Sequence, residues 1–204
     1  MTVAHAAIVL AAGGSARLGR PKQLLRRDGE ALVARVVRLV AETAPCRLVV
    51  MLGASRDAVA AELVSRSHCI ELHDVPDWHA GLSASLLAAS RVLQGHRGPV
   101  LVTGVDQPAL DARHLRALLD GARAAPSGCA ALMHGTRPGA PAVLSPALFA
   151  QVDALAGDRG FGALLAALPE DALFRLQAPL LTRDVDTPDA LRAAQADGIL
   201  DAED

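Results

Sequence analysis

Tyrosine is absent, and aromatic residues make up only 2% of the 204-residue chain. A platform on which single-stranded bases stack therefore cannot be built, and the core must be filled by alanine, leucine and valine. A surplus of charge is missing too: 20 Lys+Arg against 22 Asp+Glu leave a formal net charge of -2. A near-neutral chain has no electrostatic footprint for DNA or RNA. Cysteine is scarce. Cys46, Cys69 and Cys129 form no CxxC pair, and their odd number argues against a disulfide framework. The expectation is three buried, reduced thiols in a cytoplasmic protein. No apolar run reaches the length of a membrane span. The segment closest to a leader, Ala6 to Ala12, has no Lys or Arg before it and runs into Gly13-Gly14, with Arg17 soon after. It reads as a buried strand entering a turn. Neither a membrane nor a nucleic-acid partner is expected.

What is present is a hydrophobic content of 51%, enough for a substantial core. The length suits one domain over residues 1–200, with 201–204 expected to fray. Short apolar runs alternate with helical spacing. Strands are expected at Ala6–Ala11, Arg47–Leu52, Cys69–Leu72, Pro99–Val105, Ala130–Met133, Pro141–Leu144, Leu173–Leu176 and Arg183–Val185. Helices are expected at Ala31–Ala41, from an N-cap at Ser55 to about Val64, at Ser83–Leu93, from Asp111 to about Ala124, at Pro146–Ala154 and Gly162–Leu168, and from Pro188 onward. The Gly- and Pro-rich stretch 135–141 reads as a mobile loop. Alternating strands and helices predict a three-layer α/β/α, Rossmann-like fold with a mostly parallel sheet.

In such folds ligands bind beyond the carboxyl ends of the strands. The first strand is followed by Gly13, Gly14, Ser15, Arg17 and Lys22. Small residues let backbone N–H groups approach a polyphosphate, and Arg17 and Lys22 add fixed positive charge. The segment is neither a Walker A loop nor a GxGxxG fingerprint. The fourth strand ends in Asp106-Gln107-Pro108, where Asp106 either holds Mg²⁺ or caps a turn. Asp184 and Asp186 alternate along an extended segment and so share a face. Asp186 is the choice for a second metal ligand, the alternative being a cap for the helix opened by Pro188. Asp189 suits the first turn of that helix on dipole grounds alone. His73, Asp74, Asp77 and His79 are close in sequence, but their spacing is not that of a zinc motif.

Five ordered segments resemble the MobA-like nucleotidyltransferases, and within them most of all the molybdenum cofactor cytidylyltransferases. They are Leu10 to Lys22, Asp77 to Leu86, Asp106 to Pro108, Gly157 to Gly160 and Asp184 to Pro188. The resemblance implies that Leu10, Ala11, Ala12, Gly13, Gly14 and Ser15 cradle a triphosphate, with Arg17 and Lys22 on its charge. It places Gly81, Ser83 and Ser85 near base and ribose, and Asp106 and Asp186 on Mg²⁺. Arg17, Lys22 and Asp106 would be catalytic. The implied reaction moves CMP from CTP to the phosphate of molybdopterin and releases pyrophosphate. A molybdoenzyme or its maturation factor would then be a partner. Ala12, where the guanylyl branch has glycine, favours CTP by about 1–3 kcal/mol at best. The chain departs from the family at Val75, where relatives often carry Asn, and at Gly139-Ala140-Pro141, where a polar residue often precedes the proline. Those departures keep two alternatives open: guanylyl or other nucleotidyl transfer to a phosphorylated acceptor, and a non-catalytic module that binds and delivers molybdopterin.

Overall fold

The structure, a computed structural model, describes residues 4–64 and 69–202. In chain order its elements are β1 (Ala6–Ala11), β2 (Arg26–Arg27), β3 (Glu30–Ala31), α1 (Leu32–Ala41), β4 (Arg47–Leu52), α2 (Arg56–Val64), β5 (Glu71–Asp74), α3 (Leu82–Val92), β6 (Val100–Gly104), α4 (Ala112–Ala124), β7 (Cys129–His134), β8 (Arg137–Leu144), α5 (Pro146–Phe149), α6 (Gly162–Ala166), β9 (Leu173–Leu176) and α7 (Pro188–Ala196). Short 3-10 turns intervene, one of them at Lys22–Leu24.

Seven strands form one sheet in the order β5-β4-β1-β6-β8-β7-β9. β8 runs antiparallel to β6 and β7, and the other pairings are parallel. The expected three-layer α/β/α fold with a mostly parallel sheet is what forms. Period-2 alternation shows why. Ala7, Val9 and Ala11 of β1 pack with Val36 and Val37 of α1, Leu63 of α2 and Leu115 and Leu118 of α4. Ala6 and Ile8 face the other way, toward Leu86 and Ala89 of α3 and Leu165 of α6. Both faces are covered, so the strand reads as a continuous apolar run. Leu115 is fully buried, and Leu115→Ala would cost about 2–5 kcal/mol.

The cap expected at Asp111 forms. Asp111 accepts from the backbone N–H of Arg113 at 3.0 Å, and His114 closes a capping box at the start of α4. Thr187, not Asp186, caps α7, with Pro188 in the first turn. Asp186 is thereby left for other partners.

Several expectations need correction. Residues 135–141 are no loose loop: His134 to Arg137 turns a hairpin, and β8 begins at Arg137. Pro138 and Pro141 lack the N–H that a ladder uses, and the register shift between Ala131 and Leu132 absorbs the mismatch. Arg183–Val185 is no strand; its backbone contact is the Val185 N–H donated to the Asp106 carbonyl at 2.9 Å. The third strand lies at Glu71–Asp74, two residues later than expected. The helix expected at Pro146–Ala154 changes to a 3-10 turn at Ala150. β2 and β3 were not expected, although Asp28-Gly29 between them is a hairpin signal and both residues have positive φ. Cys129 is buried, but Cys46 and Cys69 are exposed; all three are free. Of the expected frayed tail, Asp201 is held, its carboxylate accepting from the N–H groups of Asp28 and Gly29 at 2.8 Å each. Glu203 and Asp204 lie outside the described residues. Among the described residues no helix is long and apolar enough to cross a membrane.

Candidate functional site

The chain leaves β1 to build one side of the sheet through α1, β4, α2 and β5, then returns past it to β6. The gap beyond the carboxyl ends of β1 and β6 is therefore a topological switch point. A cleft of about 400 Å³ opens there, lined by Leu10, Ala12, Gly13, Gly14 and Lys22 on one side and Trp78, Gly81, Ser85, Asp106 and Asp158 on others.

The loop after β1 is tightly held. The Ser15 carbonyl accepts from the N–H groups of Leu18 and Gly19 at 3.0 Å each. Ser15 Oγ accepts from the Lys22 N–H at 3.1 Å. The Ala12 carbonyl accepts from Ala54 N–H at 3.0 Å, tying the loop to the end of β4. Trp78 lies against both: a Cβ on Gly14 would stand 2.7 Å from its ring, and one on Gly53 would stand 2.6 Å from the Ala12 carbonyl. Glycine at those two positions lets the indole close one wall of the cleft.

Across from the loop, Lys22 Nζ lies 2.8 Å from Asp106 Oδ2 and 2.8 Å from Asp186 Oδ1. Arg17 Nη2 reaches the other oxygen of Asp186 at 2.7 Å. Asp106 sits two residues past the end of β6. Asp186 is delivered by the bond from Val185 N–H to the Asp106 carbonyl and by burial of the Val185 side chain beside Leu18 and Leu191. Lys22 is 17% exposed, whereas Arg17 is 72% exposed. Burial alone would lower the Lys22 pKa, but the two carboxylates outweigh it and the net shift is upward. For Asp186, burial pushes up while Lys22 and Arg17 pull down, and the cations win. Asp184 behaves differently. Burial, with the Asp106 charge adding to it, raises its pKa to about 6, against an opposing hydrogen bond from Gln107. Its Oδ1 is buried without a hydrogen-bond partner among the described residues. Asp184 and Asp186 thus do not share surroundings.

Of the residues singled out from the sequence, Leu10, Ala12, Gly13, Gly14, Lys22, Gly81, Ser85 and Asp106 line the cleft. Ala11 is buried behind the loop. Ser15 braces the loop from behind, and Ser83 gives its N–H to the Gly157 carbonyl at 2.9 Å. Arg17 and Asp186 do not line the cleft; Asp186 reaches it through Lys22, and Arg17 pairs with Asp186 behind that contact. Sequence reasoning gave no role to Trp78, His79, Asp158 or Gln23. Trp78, the chain's one tryptophan, carried a usable signal; Gln23 carried none.

The carboxylate pair suits a hard divalent cation. Two oxygens of different carboxylates converge on one positive centre at 2.8 Å each, and Mg²⁺ is commonly held by one or two carboxylates with the substrate's phosphates completing its shell. No group of three or more His, Cys, Asp or Glu able to hold a metal occurs among the described residues.

Residues 7–172 match the MobA-like NTP transferase domain. The chain belongs to that family. This MobA-like chain is 36% identical over 123 residues to the bifunctional protein GlmU of Anaeromyxobacter dehalogenans, a match covering 59% of this chain and 25% of that protein. The chain thus spans about a quarter of the length of the curated relatives it matches. A solved homolog of Mycobacterium tuberculosis Rv0371c, from Mycobacterium sp. strain JC1, superposes with a TM-score of 0.78 at 27% identity, over 98% of both chains. Rv0371C of M. tuberculosis H37Rv, solved in complex with manganese, gives 0.72 at 24% identity, over 94% of this chain and 97% of that one. Molybdopterin-guanine dinucleotide biosynthesis protein A from Archaeoglobus fulgidus gives 0.62 at 22% identity, over 93% and 96%. At those last two identities the likeness shows the fold alone.

Proposed function

We propose that this MobA-like chain is a divalent-cation-dependent nucleotidyltransferase that moves CMP from CTP to the phosphate of a molybdopterin-type acceptor, releasing pyrophosphate. The observation that carries the reading is the bridge from Lys22 Nζ to Asp106 and Asp186 at the mouth of a cleft walled by a glycine loop. An acceptor phosphate oxygen attacks the α-phosphorus in line. The bond from that phosphorus to the β-phosphate oxygen breaks, and pyrophosphate leaves with the electron pair. No side-chain nucleophile is required, so the protein's part is positioning and charge. Lys22 offsets the charge that gathers on the leaving group, and the more exposed Arg17, paired with Asp186, supplements Lys22. Mg²⁺, held by Asp106 and Asp186, would supply further neutralisation when bound. The manganese complex of a neighbour with this fold supports use of a divalent cation, and the molybdopterin-guanine dinucleotide neighbour supports a molybdopterin acceptor.

That latter name also makes guanylyl transfer the rival. Ala12, which lines the cleft where the resemblance gives the guanylyl branch glycine, favours CTP. Pyrophosphate release from purified protein, Mg²⁺ and molybdopterin, with CTP and GTP in parallel, tests the proposal. Release with CTP, lost when either Mg²⁺ or pterin is omitted, is expected. Release with GTP alone would move the chain to the guanylyl reaction. No release with either, in the presence of intact pterin, would sink both.

A further inference from the structure

We propose that Gln23 is the residue that turns the amide groups of the first loop toward the substrate phosphates, an inference that rests on reading the cleft as a nucleoside triphosphate site. Gln23 lies in the short turn Lys22–Leu24 and is 1% exposed. Its Nε2 donates to the Ala11 carbonyl at 2.8 Å and to the Gly13 carbonyl at 2.8 Å. A primary amide nitrogen has two hydrogens, and both are used. Both partners are acceptors, so only the nitrogen of the amide can face them.

The consequence lies in the peptide planes. In a trans peptide the C=O and the following N–H point in opposite directions. Drawing the Gly13 carbonyl inward to Gln23 sends the Gly14 N–H outward, on the side where Gly13 and Gly14 wall the cleft. The Gly14 N–H donates to no described residue, and a Cβ placed on Gly13 would meet nothing within 4 Å. An anion thus has a free donor and open space at this point. Without Gln23, the Gly13–Gly14 peptide is free to rotate and present its carbonyl oxygen to the phosphates instead.

A second observation agrees. Gln23 Oε1 is buried with no hydrogen-bond partner among the described residues. Buried polar atoms without partners are uncommon and call for an explanation. An apolar residue of the same length would remove this orphan, but it would also release the loop. The same turn sets the cation: Lys22 is anchored by its N–H to Ser15 Oγ and points Nζ at the carboxylates. One short turn therefore fixes the lysine above the phosphates and the amides beneath them. Gln23 touches no substrate; it is a positioning residue.

The test is calorimetric binding of inorganic tripolyphosphate and of CTP, each with Mg²⁺, to the wild type, Gln23→Met and Gln23→Glu. Gln23→Met should weaken both ligands by the same factor, at least tenfold, because the loss is at the phosphates and not at the base. Gln23→Glu should be weaker still at pH 8, where a carboxylate repels both carbonyls. Expressed as a ratio to wild type at the same pH, its affinity should partly recover at pH 5.5, as a protonated carboxyl donates to one carbonyl. Gln23→Met should show no such recovery. Wild-type affinity in Gln23→Met, or a Gln23→Glu ratio indifferent to pH, would overturn the proposal. Wild-type protein that binds neither ligand would instead overturn the reading of the cleft, and this inference with it.

Discussion

At their amino ends β1, β6 and β7 open on a groove of about 720 Å³, lined by His5, Thr43, Arg97, Arg123 and Ser127 among others. At their carboxyl ends β1 and β6 open on a cleft of about 400 Å³. The larger space has the poorer chemistry. α1 and α4 both finish beside it, so their last carbonyls present partial negative charge. Arg123 belongs to the last turn of α4, where that dipole explains it, and pairs with Asp120 at 2.6 Å. The smaller space receives a glycine loop and a partly buried lysine on whose Nζ two carboxylates converge. On the function proposed above, volume is not what locates the site. The direction of the strands, and what their carboxyl ends carry, is.

The contrast breaks most readily at Asp106. Asp106→Asn keeps the shape and removes one ionised oxygen, and pyrophosphate release should fall on the order of 10²–10³-fold, with the melting temperature little changed. Full turnover in this variant would place the chemistry elsewhere. Gly53→Ala comes next. Its Cβ would stand 2.6 Å from the Ala12 carbonyl and 2.7 Å from Trp78 Cβ, so urea unfolding should show a loss of about 1–3 kcal/mol. An unchanged midpoint would mean that the indole is not packed on this glycine.

Acid should then treat the two ends in opposite ways. Asp184, near the cleft, has its pKa raised from 3.8 to about 6. The folded protein keeps that proton where the unfolded chain has lost it, so this contribution to stability declines as pH rises from about 4 to about 6. His5, on the groove, has its pKa lowered below 6.5 by burial and by the charges of Arg123 and His96. The unfolded chain takes that proton first, so this contribution is lost as pH falls below about 6.5 and restored above it. Urea unfolding in EDTA across this range should show Asp184→Asn removing the first slope and His5→Asn removing the second. The same sign of change in both would contradict the assignment. The smallest effect is expected from Arg123→Ala, with turnover within twofold and stability within about 0.5 kcal/mol of wild type. A larger loss of activity would give the groove a role.

The sequence carried the fold where local rules act alone. The apolar run Ala6–Ala11, the Asp111 cap and Pro188 in the first turn of α7 each follow from a few neighbouring residues. It also carried Lys22, Asp106 and Asp186 as separate segments, while their meeting around one nitrogen is a tertiary fact. What escaped it has physical causes. Gly and Pro at 135–141 suggested a loop because their tolerance within a bulged hairpin depends on a partner strand. Asp186 was readable as a cap because spacing cannot tell it from Thr187. Gln23 left no trace, since its partners are backbone carbonyls that have no residue identity.

The most direct test of the central claim is Mn²⁺ binding in the presence of CTP, followed by the electron paramagnetic resonance of the free ion. Wild-type protein should bind Mn²⁺ together with CTP, and both Asp106→Asn and Asp186→Asn should weaken that binding at least tenfold. Wild-type affinity in both variants would contradict the account, because the two carboxylates that meet at Lys22 would then not be the cation's ligands.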